Sequence, residues 1–266
     1  MSGARRTAII TGASSGIGAE TARLLAAKGW RVVLVARSAD KLDALARELG
    51  DGALAEPLDT SDGAAVLASK ARLDEIVGTP DAIVNAAGAG RWLRVEETAP
   101  DEAAAMIGAP YLSALHMTHA YMADFLARGS GTTIMINSPA VITPWPRSAG
   151  YAASRWALRG LHEALSQDLA GTGVRSCHVV FGKVETSYFD NNPGAREALP
   201  GISRMIRTLT PEDCAEVILS VAERPRLEVI YPRMLAFMAF NARLFPRLSA
   251  WLVRRTSPSR TGSGTA

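Results

Sequence analysis

A glycine-rich turn near the start of the chain has the residue types and spacing to hold a phosphate. It reads Thr11-Gly12-Ala13-Ser14-Ser15-Gly16-Ile17-Gly18 and lies between a short apolar run and a helical pattern. Glycines let the backbone turn tightly and approach a phosphate, and the first N–H groups of a helix attract an anion. Such a turn after the first strand of a β-α-β unit predicts a dinucleotide site.

The same turn contains the spacing Gly12-x-Ser14-x-Gly16, which is also that of a serine-hydrolase nucleophile elbow. A hydrolase sheet has strands before its elbow, whereas this turn follows the first apolar run of the chain, Thr7–Thr11. The sequence therefore favours phosphate binding over a serine nucleophile.

The segments that must position this turn alternate between strand and helix. Six helical patterns are predicted, at Gly16–Lys28, Asp40–Leu49, Ala64–Val77, Asp101–Ala127, Tyr151–Leu169 and Pro211–Ala222. Seven nearly continuous apolar runs are predicted as strands, at Thr7–Thr11, Val32–Ala36, Ala53–Leu58, Ala82–Asn85, Thr133–Asn137, Val174–Val180 and Leu227–Ile230. Apolar runs of this kind are typical of a parallel sheet covered on both faces. We therefore predict a single-domain α/β fold, a Rossmann-type doubly wound parallel sheet of about seven strands with helices on both faces.

Composition narrows the class of protein further. The 266 residues are 48% hydrophobic and 21% charged, which excludes a disordered chain. The two cysteines, Cys177 and Cys214, cannot form a disulfide framework, and the N-terminus lacks the apolar core of a signal peptide. A net charge of +3 is too small to predict a nucleic-acid partner. We expect a cytoplasmic protein in a reducing compartment.

Three motifs together resemble those of the short-chain dehydrogenase/reductase family. The turn at Thr11–Gly18 matches the family's Thr-Gly-x-x-x-Gly-x-Gly dinucleotide loop, and Asp59 after the third strand matches its adenine-contacting Asp. The segment Asn85-Ala86-Ala87-Gly88 matches its Asn-Asn-Ala-Gly element, which steadies the sheet beside the cofactor. The resemblance runs from about residue 7 to 230 and implies a nicotinamide-dependent oxidoreductase, expected as a homo-oligomer, either a dimer or a tetramer.

The end of the second strand bears on which nicotinamide cofactor is bound. An acidic residue there would bind a ribose 2′-hydroxyl and repel a 2′-phosphate, but the position is occupied by Ala36-Arg37. Arginine pairs bidentately with phosphate, and Ser14 could add a hydroxyl. We therefore expect NADP(H), with NAD(H) disfavoured; the other interpretation of Arg37 is a solvated residue at a strand end.

The resemblance also implies the catalytic residues. The family uses a Tyr acid/base and a Ser thirteen residues before it, and these positions are Tyr151 and Ser138. Tyr151 would give or take the carbonyl proton, and Ser138 would polarise the carbonyl. Site residues implied for catalysis are Ser138, Tyr151 and Arg155; those implied for the cofactor are Gly12, Ser14, Ser15, Gly16, Ile17, Gly18, Arg37, Asp59, Asn85, Ala86, Gly88, Tyr151, Arg155, Val184 and Thr186.

Two positions depart from the family pattern. Arg155 replaces the Lys four residues after the Tyr; it keeps the positive charge but cannot give up a proton near neutral pH. Pro110 replaces the Asn that marks a helix break, keeping the carbonyl and losing the side chain. Lys183, in the segment beside the nicotinamide, is an alternative cation or a solvated loop residue. These departures keep a second hypothesis open, that of a catalytically decayed dinucleotide-binding protein with a regulatory or partner-subunit role.

The remaining segments bear on domains and partners. Residues 1–230 are predicted to form the dinucleotide-binding and catalytic domain, 231–255 a helical extension packed on it, and 256–266 a disordered tail. The extension alternates aromatics with Arg; packing on its own domain is favoured over a substrate cover, a subunit contact or a membrane-surface contact. Ser187–Thr210 is expected to be a substrate lid or a plain loop. We expect an apolar carbonyl or alcohol substrate and no metal, since His116 and His119 lack a third ligand.

Overall fold

The fold is built around one parallel sheet of seven strands. The computed structural model of the chain describes residues 5–186 and 195–258. The strands are β1 Thr7–Thr11, β2 Arg31–Ala36, β3 Ala53–Pro57, β4 Ala82–Asn85, β5 Gly131–Asn137, β6 Val174–Phe181 and β7 Glu228–Tyr231. Their order across the sheet is β3-β2-β1-β4-β5-β6-β7, and every neighbouring pair is parallel. The predicted doubly wound parallel sheet is confirmed, with each strand within two residues of its predicted bounds.

The helices connect the strands and cover both faces of the sheet. They are α1 Gly16–Ala27, α2 Ala39–Leu49, α3 Gly63–Val77, α4 Pro100–Ile107, α5 Ser113–Arg128, α6 Ala149–Asp168, α7 Pro211–Glu223, α8 Arg233–Leu244 and α9 Pro246–Thr256. The tail predicted from residue 256 begins on the last residue of α9, and residues 259–266 lie outside the described part of the chain.

Alternate side chains of the strands pack on opposite faces of the sheet. Ile10 and Leu34 belong to a core shared with α1, α2 and α7, whereas Ile9 and Val33 belong to a core shared with α3 and α5. All four side chains are fully buried, and each such burial stabilises the fold by about 1.5–3 kcal/mol. Burial on both faces is the physical reason that the strands are apolar throughout.

One predicted helix is wrong in its extent. The sequence pattern predicts one helical stretch over Asp101–Ala127, with a break favoured at Pro110, and the chain forms α4 and α5 separated by a wide π-helical turn at Gly108–Leu112. Pro110 lies in this turn and is buried. Proline has no N–H to donate, so the regular helical hydrogen-bond ladder is interrupted at this residue.

Candidate active site

A cavity of about 1290 Å³ lies at the carboxyl ends of the strands. The strand order reverses between β1 and β4, and in open α/β sheets ligands bind outside the carboxyl ends of the strands at such a point. Of the residues predicted for the site, only Asn85 does not line this cavity. Those that line it are Gly12, Ser14, Ser15, Gly16, Ile17, Gly18, Arg37, Asp59, Ala86, Gly88, Ser138, Tyr151, Arg155, Val184 and Thr186.

Backbone atoms pack so tightly around the glycine-rich turn that a side chain would not fit at two of its positions. Gly12 has a φ of +68°, and a Cβ there would lie 2.9 Å from the Ala86 carbonyl oxygen. A Cβ at Gly18 would lie 2.4 Å from the Gly12 carbonyl oxygen. The turn is therefore folded tightly against both α1 and the segment after β4, and the start of α1 faces the cavity with its unpaired N–H groups.

Thr11 and Asn85 hold the sheet together behind this turn. The Thr11 hydroxyl oxygen accepts hydrogen bonds from the Ala86 N–H (3.1 Å) and the Ala87 N–H (3.0 Å). The Asn85 amide donates to the Thr133 hydroxyl at 3.0 Å, so this side chain lies inside the sheet rather than in the cavity. Asn85 was predicted among the cofactor-binding residues. Its side chain instead links β4 to β5 behind the cavity.

Charged groups gather at the end of the cavity beside β2 and β3. Arg37, just after β2, and Lys41, in the first turn of α2, both line it. Asp59 accepts hydrogen bonds from the Ser61 hydroxyl (2.7 Å) and the Ser61 N–H (2.9 Å). These bonds, with a smaller contribution from Arg37, hold the pKa of Asp59 below its usual value. Lys41 was not singled out from the sequence.

The opposite end of the cavity holds Ser138 and Tyr151. Ser138 follows the last residue of β5, and Tyr151 lies in the first turn of α6. The Tyr151 ring packs against Trp92 with 4.8 Å between ring centroids, and Trp92 stacks on Trp145 at 5.1 Å. Sequence reasoning missed both tryptophans, because their contact joins two loops that are distant in the sequence.

Arg155 is a buried cation directed at Tyr151. Its side chain is 8% exposed, and its Cζ lies 5.0 Å from the centre of the Tyr151 ring. One Nη donates to the Ile136 carbonyl at 3.3 Å, while Nε has no hydrogen-bond partner. No carboxylate of the described residues lies within 4.0 Å of the guanidinium. A buried guanidinium with a free donor favours an oxygen-rich ligand beside it.

Comparison with known proteins places the chain in a family. Residues 6–196 match the short chain dehydrogenase family. The chain belongs to the short-chain dehydrogenases. An uncharacterized oxidoreductase of Mycobacterium tuberculosis is 36% identical over 225 residues, which are 83% of this chain and 86% of the relative. These matches make the chain an oxidoreductase of this family.

Two solved structures share the fold over most of this chain. An alcohol dehydrogenase from Thermococcus sibiricus, complexed with 5-hydroxy-NADP, is 28% identical with a TM-score of 0.74, over 85% of this chain and 95% of that one. A 3-ketoacyl-(acyl-carrier-protein) reductase from Brucella melitensis, complexed with NADH, is 28% identical with a TM-score of 0.75, over 85% and 96%.

The departures from the family pattern differ in how close they come to the cavity. Gly108, Ala109 and Leu112 of the π-helical turn line the cavity, whereas Pro110 does not. Arg155 lines it and contacts the acid/base candidate directly. Of the two departures in this short-chain dehydrogenase, Arg155 is therefore the one that lies beside Tyr151 in the cavity.

Asn137, His178 and Glu228 form a polar network next to the backbone of Arg155. The sequence did not indicate this network. Asn137 donates to the Arg155 backbone carbonyl (3.0 Å) and lies 2.9 Å from His178 Nε2. An amide nitrogen only donates, so His178 Nε2 accepts and Nδ1 carries the proton toward Glu228, 3.4 Å away. This contact, followed by one with Arg243, lowers the pKa of Glu228 to about 2.

Two other cation or metal candidates have partners within the protein. Lys183 lines the cavity, but its ammonium lies 3.9 Å from the Glu185 carboxylate. His116 Nδ1 lies 3.2 Å from the Thr60 carbonyl oxygen. Over 5–186 and 195–258, no three or more His, Cys, Asp or Glu side chains are grouped so as to hold a metal ion.

Proposed function

We propose that the chain is an NADP(H)-dependent oxidoreductase that interconverts a carbonyl and an alcohol on an apolar small molecule. The observation that carries this proposal is the buried Arg155 guanidinium beside Tyr151, in the same cavity as Ser138 and the glycine-rich turn. A decayed site has no need to keep a buried cation without a carboxylate partner, since such burial is costly.

The residues present fit a dinucleotide. The glycine-rich turn leaves the start of α1 open to a pyrophosphate, and Gly18 has no room for a side chain. At the other end, the Arg155 guanidinium lines the cavity and can donate a hydrogen bond to a ribose hydroxyl oxygen. Gly88 also suits this arrangement, because a Cβ there would lie 2.7 Å from an Arg155 Nη.

Charge favours NADP(H) over NAD(H). The two solved relatives carry an NADP derivative in one case and NADH in the other, so the resemblance alone does not choose between them. In this chain Arg37 and Lys41 line the cavity where an acidic residue would repel a 2′-phosphate. Ser14 lies in the same lining and can add a hydroxyl donor.

The side chains then divide the chemistry between them. When bound, the nicotinamide supplies or takes the hydride. Tyr151 gives the proton to the carbonyl oxygen in reduction and takes it back in oxidation. The Ser138 oxygen accepts one hydrogen bond, from the Ala140 N–H at 3.4 Å, so its hydroxyl hydrogen can be donated to the carbonyl. Arg155 places a positive charge beside the Tyr151 ring, without giving up a proton itself.

The substrate end of the cavity is apolar. It is lined by Trp92 and Trp145 on one side and by side chains of the C-terminal helices on the other. The residues of the C-terminal helices are Leu235 and Met238 on α8 and Leu252 and Val253 on α9. Three further apolar residues in the lining are Leu199, Ile202 and Ile206. Such a lining favours a lipophilic ketone, aldehyde or alcohol.

The runner-up is a dinucleotide-binding protein without turnover, and Pro110 is the observation that favours it. The Asn side chain of the family is absent there, and the π-helical turn holds only backbone and apolar groups near the cavity. We favour the enzyme because Tyr151, Ser138 and a cation are all present in one cavity.

The experiment is a turnover screen of lipophilic ketones and aldehydes with NADPH, and of alcohols with NADP. The proposal expects turnover of at least one class, faster than with the non-phosphorylated cofactor. NADPH binding without turnover across the panel would favour the non-enzymatic role.

A homo-oligomer, dimer or tetramer, and a cytoplasmic location remain predictions. Within the described ranges no helix is long and apolar enough to cross a membrane. Residues 187–194 of the predicted lid lie outside the described part of the chain.

A further inference from the structure

The two C-terminal helices present large apolar side chains to solvent. On α8, Phe237, Phe240 and Leu244 are 64%, 61% and 57% exposed and lie at helical spacing on one face. On α9, which packs against α8, Leu248 and Trp251 are also exposed, at 52% and 50%. We call the exposed face of residues 233–255 the C-terminal surface. Packing on the domain, the favoured expectation, accounts only for the opposite face of α8, where Leu235, Ala239 and Ala242 are buried.

The charge on the C-terminal surface has a single sign. Between residues 233 and 255 there are five arginines and no Asp or Glu. Arg243 pairs with Glu228 at 2.7 Å. The other four are exposed and, among the described residues, have no carboxylate within 4.0 Å; they are Arg233, Arg247, Arg254 and Arg255.

This combination selects one kind of partner. Apolar and aromatic side chains interleaved with arginines on short in-plane helices bind the interface of a bilayer, and the arginines attract anionic headgroups. A second copy of the chain in a two-fold contact would bring the same unpaired arginines together. A nucleic acid would neutralise the arginines and leave the aliphatic Leu244 and Leu248 in water.

We propose that the C-terminal surface docks on an anionic phospholipid bilayer. Phe240, Leu244, Leu248 and Trp251 enter the acyl boundary, and the unpaired arginines contact phosphate headgroups. The C-terminal surface contains no candidate catalytic residue. The docking proposal can therefore be tested independently of the enzymatic proposal.

The surface also adjoins the cavity. Phe237 is both exposed on this face and part of the cavity lining, and Met238 and Leu252 of the same helices line the cavity from within. Because the surface and the cavity share these helices, an apolar substrate could pass from the bilayer into the cavity. This route for the substrate rests on the proposed oxidoreductase function.

The test is co-sedimentation of the full chain with vesicles, measured without any substrate. Phosphatidylcholine vesicles containing phosphatidylglycerol should bind the protein, vesicles of phosphatidylcholine alone should bind it at least about tenfold more weakly, and added salt should release it. The double variant Arg247→Glu/Arg254→Glu should lose at least about tenfold in binding. Its matched control is Arg47→Glu/Arg175→Glu, which makes the same charge change at exposed arginines outside the surface and should bind nearly as the parent does.

A second readout locates the contact. Bromine-labelled acyl chains should quench the fluorescence of the parent, and Trp251→Phe should remove most of the added quenching while keeping vesicle binding. Equal binding to both vesicle types, no binding, or equal loss in the two charge variants would overturn the proposal. It would also be overturned if Phe240→Ser/Leu248→Ser dissociated an oligomer, or if a single-stranded oligonucleotide bound while vesicles did not.

Discussion

The guanidinium carbon of Arg155 lies 5.0 Å from the centre of the Tyr151 ring, one turn along α6. Arg155 is buried, is bonded to the Ile136 carbonyl and has a free Nε. The positive charge that this family places beside its Tyr is therefore kept by a different residue type.

Two replacements of Arg155 distinguish the role of its charge from the role of its shape. Arg155→Met should lower both NADPH affinity and turnover, by roughly 10- to 100-fold for a lost charged hydrogen bond. Arg155→Lys keeps the charge and should retain moderate activity. The measurement is NADPH-dependent turnover of one accepted ketone across pH; a Met variant equal to the parent at every pH would remove Arg155 from the mechanism.

Gly88 keeps the space that Arg155 occupies. A Cβ at this position would lie 2.7 Å from an Arg155 Nη, so Gly88→Ala should push the guanidinium away from Tyr151. Turnover should fall about tenfold or more, with the thermal midpoint nearly unchanged. Gly160→Ala is the control on α6, where a Cβ meets nothing within 4 Å; it should leave turnover intact and stabilise the helix by about 0.5–1 kcal/mol. Similar turnover in both variants would show that the space at Gly88 is not required.

Arg37 sets the choice of cofactor. Arg37→Ala should weaken NADPH binding by about 1–3 kcal/mol and leave NADH binding nearly unchanged, because only NADPH has the 2′-phosphate. Titration by calorimetry checks this, with Arg47→Ala, an exposed arginine outside the cavity, as the control. Equal affinities of the parent for the two cofactors would contradict the assignment.

Sequence reasoning was strongest where each residue was constrained by its neighbours along the chain. Seven buried strands give apolar runs, and the tight turn at Gly12 requires glycine. The strands and the turn could therefore both be predicted from the sequence. The division of the helix at Pro110 was less visible, since a proline indicates a break but not the width of the turn. The Asn137–His178 contact depends on the pairing of β5 with β6, and the Trp92–Trp145 stack depends on loop packing; neither leaves a local pattern.

The buried His162 side chain makes the fold sensitive to acid. Burial, followed by repulsion from His178, lowers the pKa of His162 from 6.5 to about 4. Its unfolded form takes up a proton below pH 6.5 while the folded form does not, so the free energy of unfolding falls as pH falls from about 6.5 to about 4. The loss should reach about 2 kcal/mol at pH 5.

Denaturant unfolding at pH 8 and pH 5 measures this loss directly. His162→Asn removes the titrating ring and should shrink the difference between the two pH values, although its stability at pH 8 is lower because the contact with Ser176 is altered. An undiminished difference in this variant would assign the acid sensitivity to other groups.

The most direct test of the whole account is the rate of NADPH oxidation with an accepted lipophilic ketone, for the parent and for Tyr151→Phe. The phenylalanine ring keeps the packing against Trp92 and Arg155 but has no proton to give. The account predicts clear turnover by the parent, a fall of about 10²–10⁴-fold in the variant, and nearly equal NADPH affinities. A parent rate no higher than that of the variant would contradict the account and would leave this chain a dinucleotide-binding protein without turnover.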